Sequence, residues 1–157
     1  MAKVTGKKVV GLVVLFMVIV FSSMVHSHCQ IPCGIYDDQA RFEMVTEHIT
    51  TIEKSMKQIA QLSKQRRPDM NQIVRWVQNK EKHADELSGI VTYYFMAQRV
   101  KPVGKAEAKA YQDYVKKLTL LHEMLVYGMK AKQTTDLSNV EKLRTLLAEF
   151  QIAYGTN

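Results

Sequence analysis

A chain of 157 residues is long enough for one domain with a real core and too short for two comfortable ones. Its hydrophobic content of 46% is ordinary for a globular protein, although the first segment inflates it, and the formal net charge is +7. Basic runs such as Lys64-Gln65-Arg66-Arg67 are offset by acids elsewhere and carry no interleaved aromatics, which argues against nucleic acid as a partner.

Residues 1–27 read as a cleavable secretory signal. Lys3, Lys7 and Lys8 form a positive start, Val9 to Phe21 form an apolar run, and Val25-His26-Ser27 suits a signal peptidase, with Val at −3 and Ser at −1. The apolar run is shorter than the roughly 20 residues that span a bilayer, which favours cleavage over anchoring. No twin arginine is present, so export of an unfolded chain by the general route is expected, with the membrane met only through this segment. Cleavage makes His28 the new N-terminus and places the mature protein in a periplasmic or extracellular compartment. It removes three lysines and no acids, so the charge falls from +7 to +4.

The next nine residues, 28–36, are His-Cys-Gln-Ile-Pro-Cys-Gly-Ile-Tyr and hold the only two cysteines, Cys29 and Cys33. Pro32 fixes its own φ and Gly34 permits φ > 0, so the segment is predicted to bend into a compact hook.

From residue 37 onward the pattern is helical. Asp37-Asp38 supplies an N-cap and acid at a helix start. Phe42, Val45, Ile49, Ile52, Met56 and Ile59 form one apolar stripe on a helix over about 38–66, which Pro68-Asp69 interrupts. Ile73, Val77, Lys80, Ala84, Leu87, Val91 and Tyr94 form a second stripe ending near Arg99, with Lys80 as its one flaw. A third helix, about 105–131, presents Ala110, Tyr114, Leu118, Leu121 and Leu125. A fourth, capped by Asp136 or Ser138, presents Val140, Leu143, Leu147, Phe150 and Tyr154 before Gly155. With no strand pattern, the expected architecture is all-α: an up-and-down four-helix bundle over 37–157, preceded by the hook. The nine methionines read as core filler.

Three readings of the hook compete. A disulfide between Cys29 and Cys33 suits an exported chain, yet so small a loop stabilises little; the chain would then be a secreted helical interaction protein. A redox dithiol would need C-x-x-C in a βαβ setting, whereas the spacing here is C-x-x-x-C in a helical protein. A metal site gains from the cleavage, because a freed His28 offers an α-amine and an imidazole. Cys29 adds a thiolate and its amide nitrogen, and Cys33 adds a second thiolate. Amine, amide and two thiolates can share a plane with the imidazole axial, a geometry suited to Ni(II) or Cu(II) rather than tetrahedral zinc. Strong thiolate and amide donors favour one-electron cycling.

His28-Cys29-x-x-Pro32-Cys33-Gly34-x-Tyr36, six fixed residues in nine positions, resembles the nickel hook of the nickel superoxide dismutase family. The resemblance implies dismutation of superoxide to dioxygen and hydrogen peroxide by Ni(II)/Ni(III) cycling, one nickel ion per chain, a four-helix bundle and a homohexamer. It implies metal ligation by His28, Cys29 and Cys33, with Tyr36 at the mouth of the site. Thr92-Tyr93-Tyr94-Phe95 resembles the segment carrying the family's second site tyrosine, which makes Tyr94 the matching residue. Gln39-Ala40-Arg41-Phe42-Glu43 resembles the segment whose glutamate supports the axial imidazole, which points to Glu43. The chain departs from the family pattern at Gln30, where an acid is usual, and at Asn79, which aligns with an arginine that helps hold the imidazole. A nickel-delivery protein with the same hook would bind the metal without turnover. His48, His83 and His122 stand each alone on helices and read as surface or satisfied core residues, and Tyr93, Tyr111, Tyr114 and Tyr127 as packing residues.

Overall fold

The computed structural model describes residues 34–155; the signal segment and His28, Cys29 and Cys33 lie outside the described residues. Among the described residues there are four helices and no strand. α1 is Asp38–Ser63, α2 is Met70–Gly89, α3 is Ala108–Gln133 and α4 is Ser138–Gly155. α2 continues without a break into a π-helical stretch, Ile90–Arg99. α1 packs on α2 and α4, and α3 packs on α4 and α2, the neighbour pattern of an up-and-down bundle.

Local chemistry starts and stops these helices within a few residues of where the spacing places them. The Asp37 carboxylate accepts the Ala40 N–H at 3.0 Å to cap α1, and Asp69 accepts the Gln72 N–H at 3.1 Å to cap α2. α1 ends at Ser63 rather than near residue 66, because the N–H groups of Lys64 and Gln65 tighten onto the Gln61 and Leu62 carbonyls, three residues back. Every residue of the α1 stripe is buried, as are Val140, Leu143, Leu147 and Phe150 of α4. In α2, Ile73 and Val77 are only half-buried, so the core begins in earnest at Lys80.

The face of α3 differs from expectation. Leu121 is buried, but Ala110, Tyr114, Leu118 and Leu125 are half-buried, and the interior positions are Leu120, Leu121, Met124, Gly128 and Ala131. Two of those five are small. A Cβ on Gly128 would stand 3.6 Å from Ser88 Oγ and 3.8 Å from Leu87, so α3 approaches α2 closely there through residues that a hydrophobicity pattern does not mark.

Lys80 is no flaw. Its Nζ donates to the carbonyls of Ala131 (2.9 Å), Lys132 and Thr134 (3.0 Å). The last carbonyls of a helix have no partner within it and carry its negative dipole end, so a buried ammonium satisfies both needs. Lys80 therefore caps the C-terminus of α3 from a neighbouring helix.

At the opposite end of α2 the core is aromatic. Phe42, Phe95, Phe150 and Tyr154 interlock, with Phe42–Phe95 centroids 4.9 Å apart and Phe95 edge-on to Phe150 at 5.1 Å. This layer underlies the place where the chain enters α1.

Candidate metal centre

The described chain begins at Gly34, whose φ of +73° is the left-handed turn expected of the hook glycine. Two residues on, Tyr36 lies 42% exposed on the bundle surface. Its ring meets that of Tyr94 edge to face, with centroids 5.9 Å apart and planes at 72°. Each ring carries a cation on its face. The Arg99 guanidinium lies 4.4 Å from the Tyr36 centroid, and that of Arg41 lies 5.1 Å from the Tyr94 centroid. Arg41 Nε is buried and has no hydrogen-bond partner among the described residues.

Asp38 organises this cluster. Its carboxylate accepts from Tyr94 Oη at 2.6 Å, from Arg99 Nε and Nη2 at 2.8 and 2.6 Å, and from Tyr154 Oη at 2.8 Å. One acid thus ties the start of α1 to the end of the π-helical stretch and to the end of α4. The π-helix is what permits it. On an α-helix, residues five apart point about 140° away from each other. In the wider turn, with Val100 N–H bonded to the Phe95 carbonyl five residues back at 2.8 Å, Tyr94 and Arg99 both reach Asp38.

Burial alone would raise the Asp38 carboxyl, but hydrogen bonds from Arg99, Tyr94 and Tyr154 outweigh it and hold the group below the usual carboxylate range. Burial, followed by the bond to Asp38, pushes Tyr94 and Tyr154 up to about 12, so both keep their protons at neutral pH. Because the folded Asp38 is the stronger acid, the stability it adds is present above an unfolded carboxyl's pKa of about 3.9 and is lost as pH falls through the lower folded value. Asp38→Asn is expected to cost about 1–3 kcal/mol at neutral pH, the side chain being about a quarter exposed so that water replaces some of the lost bonds. Thermal melts of variant and parent should converge in acid.

A family model described as nickel-containing superoxide dismutase matches residues 23–157, which takes in the hook and the whole helical body. The chain belongs to that family. No curated protein and no solved structure matches it. Like its family, the chain takes nickel as cofactor, and superoxide is its substrate.

Of the residues singled out by sequence, Tyr36 and Tyr94 come together. Glu43 lies on the exposed face of α1 and accepts from Gln39 Nε2 at 2.9 Å, making no hydrogen bond with either tyrosine among the described residues. Asn79 donates to Ser55 Oγ at 3.0 Å, fifteen residues before Tyr94 and so roughly 20 Å away along the helix. The guanidinium groups at the tyrosine pair are those of Arg99 and Arg41. Spacing marks Asp38 only as acid at a helix start and Tyr154 only as part of an apolar stripe, and none of the four as a site residue. The only hint is the interval of five between Tyr94 and Arg99.

The expectation that each helical histidine stands alone fails for two of the three. His48 on α1 and His83 on α2 face each other, with Nδ1 atoms 2.9 Å apart, and Glu86 lies beside both. Burial holds His48 below its ordinary pKa. His122 is exposed, as expected.

Proposed function

We propose that cleavage after Ser27 frees His28, and that the His28 amine and imidazole, the Cys29 amide and thiolate and the Cys33 thiolate hold one nickel ion per chain. The reading rests on one observation: the ordered hook motif lies within the matched family span and runs directly into Tyr36 and its contact with Tyr94. The donor set fits the metal, since two thiolates with nitrogen donors in a plane are what nickel prefers over zinc. Bound there, nickel supplies one-electron redox chemistry between Ni(II) and Ni(III).

The protein's own residues govern access. Tyr36 closes the hook segment and meets Tyr94, and their crossed rings favour a small anion over a larger one. Arg99 and Arg41 on the ring faces, with the chain's positive charge, favour the approach of superoxide. Tyr94 commits its hydroxyl proton to Asp38, so it contributes a ring edge rather than a free donor. Tyr36, whose hydroxyl makes no such bond among the described residues, is the donor of the pair. Glu43 is assigned, by resemblance, as the carboxylate that orients the His28 imidazole, exchanging its bond to Gln39 for one to the ring.

The same reading divides the chain into a signal (1–27), a hook (28–36) and a bundle (37–157), exports it and assembles it as a homohexamer. No helix among the described residues is long and apolar enough to cross a membrane. Intact mass and metal analysis of the mature protein from its native host test the whole of it. The expected result is a chain starting at His28, about one nickel per chain by the donor count, and dismutation of superoxide. A metal-free chain with a native Cys29–Cys33 disulfide would overturn the hook assignment, and nickel without turnover would indicate a delivery protein.

A further inference from the structure

His48, His83 and Glu86 form a second constellation, outside the described tyrosine cluster and drawn from other residues than the hook. His83 and Glu86 are three apart on α2 and share a face; His48 reaches them from α1. The two Nδ1 atoms are 2.9 Å apart, and Glu86 Oε2 is 3.6 Å from each. Lys82 Nζ pairs with the other carboxylate oxygen, Oε1, at 3.2 Å, so Oε2 is the one turned to the imidazoles. His48 is buried, His83 is partly buried, and the Glu86 side chain is 39% exposed, which leaves a path from solvent.

From these distances we infer that His48, His83 and Glu86 bind a divalent transition-metal ion of the zinc class, cross-linking α1 and α2. An ion about 2.05 Å from each nitrogen and a similar distance from the oxygen would subtend about 90° between the nitrogens and about 120° from each nitrogen to the oxygen. Those three angles add to about 330°, close to the sum for three corners of a tetrahedron. The ion therefore sits just out of the ligand plane with its fourth position open to water. Small ring rotations that part the nitrogens by a few tenths of an ångström complete the tetrahedral angle. Two imidazoles and a carboxylate with one open position are a zinc donor set, without the thiolates that draw nickel to the hook. Without an ion, one ring donates to the other and the carboxylate stays out of hydrogen-bond range of both.

The test uses the nickel-loaded mature protein, titrated with zinc chloride and counted for both metals after gel filtration. The expected result is one zinc per chain beyond the nickel, with a rise in Tm on zinc addition. His83→Ala and Glu86→Gln should each lose the zinc and its Tm rise while nickel content stays at the parent level. Cobalt(II) supplied in place of zinc should give tetrahedral d–d bands without the thiolate charge-transfer band that occupancy of the hook would produce. Absence of zinc uptake by the folded parent, or full retention by Glu86→Gln, overturns the site. Because nickel is measured separately, failure here is distinguishable from failure of the hook.

Discussion

Leaving a single residue ahead of His28 is expected to abolish nickel binding and reduce dismutation to that of the metal-free chain. In the proposed site the terminal nitrogen is a basic amine with a free lone pair. In the extended chain the same atom belongs to a peptide bond, where resonance withdraws the lone pair and the proton is held far more tightly. In the proposed coordination an added residue on that nitrogen would also hinder the imidazole of the same residue from reaching the metal. Two nitrogen donors are therefore impaired at once, leaving the Cys29 and Cys33 thiolates to close a disulfide in an oxidising compartment. The measurement is nickel content and superoxide turnover of a chain processed one residue early, beside Cys33→Ser as a control that removes one sulfur. Full activity in the extended chain would refute the coordination proposed for His28.

Lys80→Met is expected to destabilise the bundle by about 2–4 kcal/mol, a large effect for a single charged residue. Methionine keeps the apolar stem packed and removes only the ammonium, so the loss reports the cap. The carbonyls of Ala131, Lys132 and Thr134 then lack their donor, and the buried one at Ala131 loses it where water replaces it least. By contrast, the exposed Lys57–Glu53 pair on α1 should be worth only about 0.3–0.5 kcal/mol, since both charges are already solvated. Urea melts of Lys80→Met and Lys57→Met distinguish the two cases. Equal, small shifts in midpoint would show that α3 finds other partners for its last carbonyls.

Contacts made within a few residues are legible in the order of amino acids alone. The Asp37 cap, the α1 stripe from Phe42 to Ile59 and the turn at Gly34 all depend on local spacing and backbone preference. Each is decided by what neighbouring residues can do with one another, and spacing is what a sequence displays.

The polar clusters of the bundle are of another kind. Asp38 meets Tyr94, Arg99 and Tyr154 across separations of 56, 61 and 116 residues, and His48 meets His83 across 35. Lys80 reaches the end of α3 across 51. Such partners depend on how far each helix has slid and turned against the next, and on the π-helical stretch that swings Arg99 round beside Tyr94. Apolar periodicity marks only which face of a helix turns inward. Which polar groups face each other is settled when the helices pack, because only there does an unpaired charge or carbonyl cost enough to select its partner.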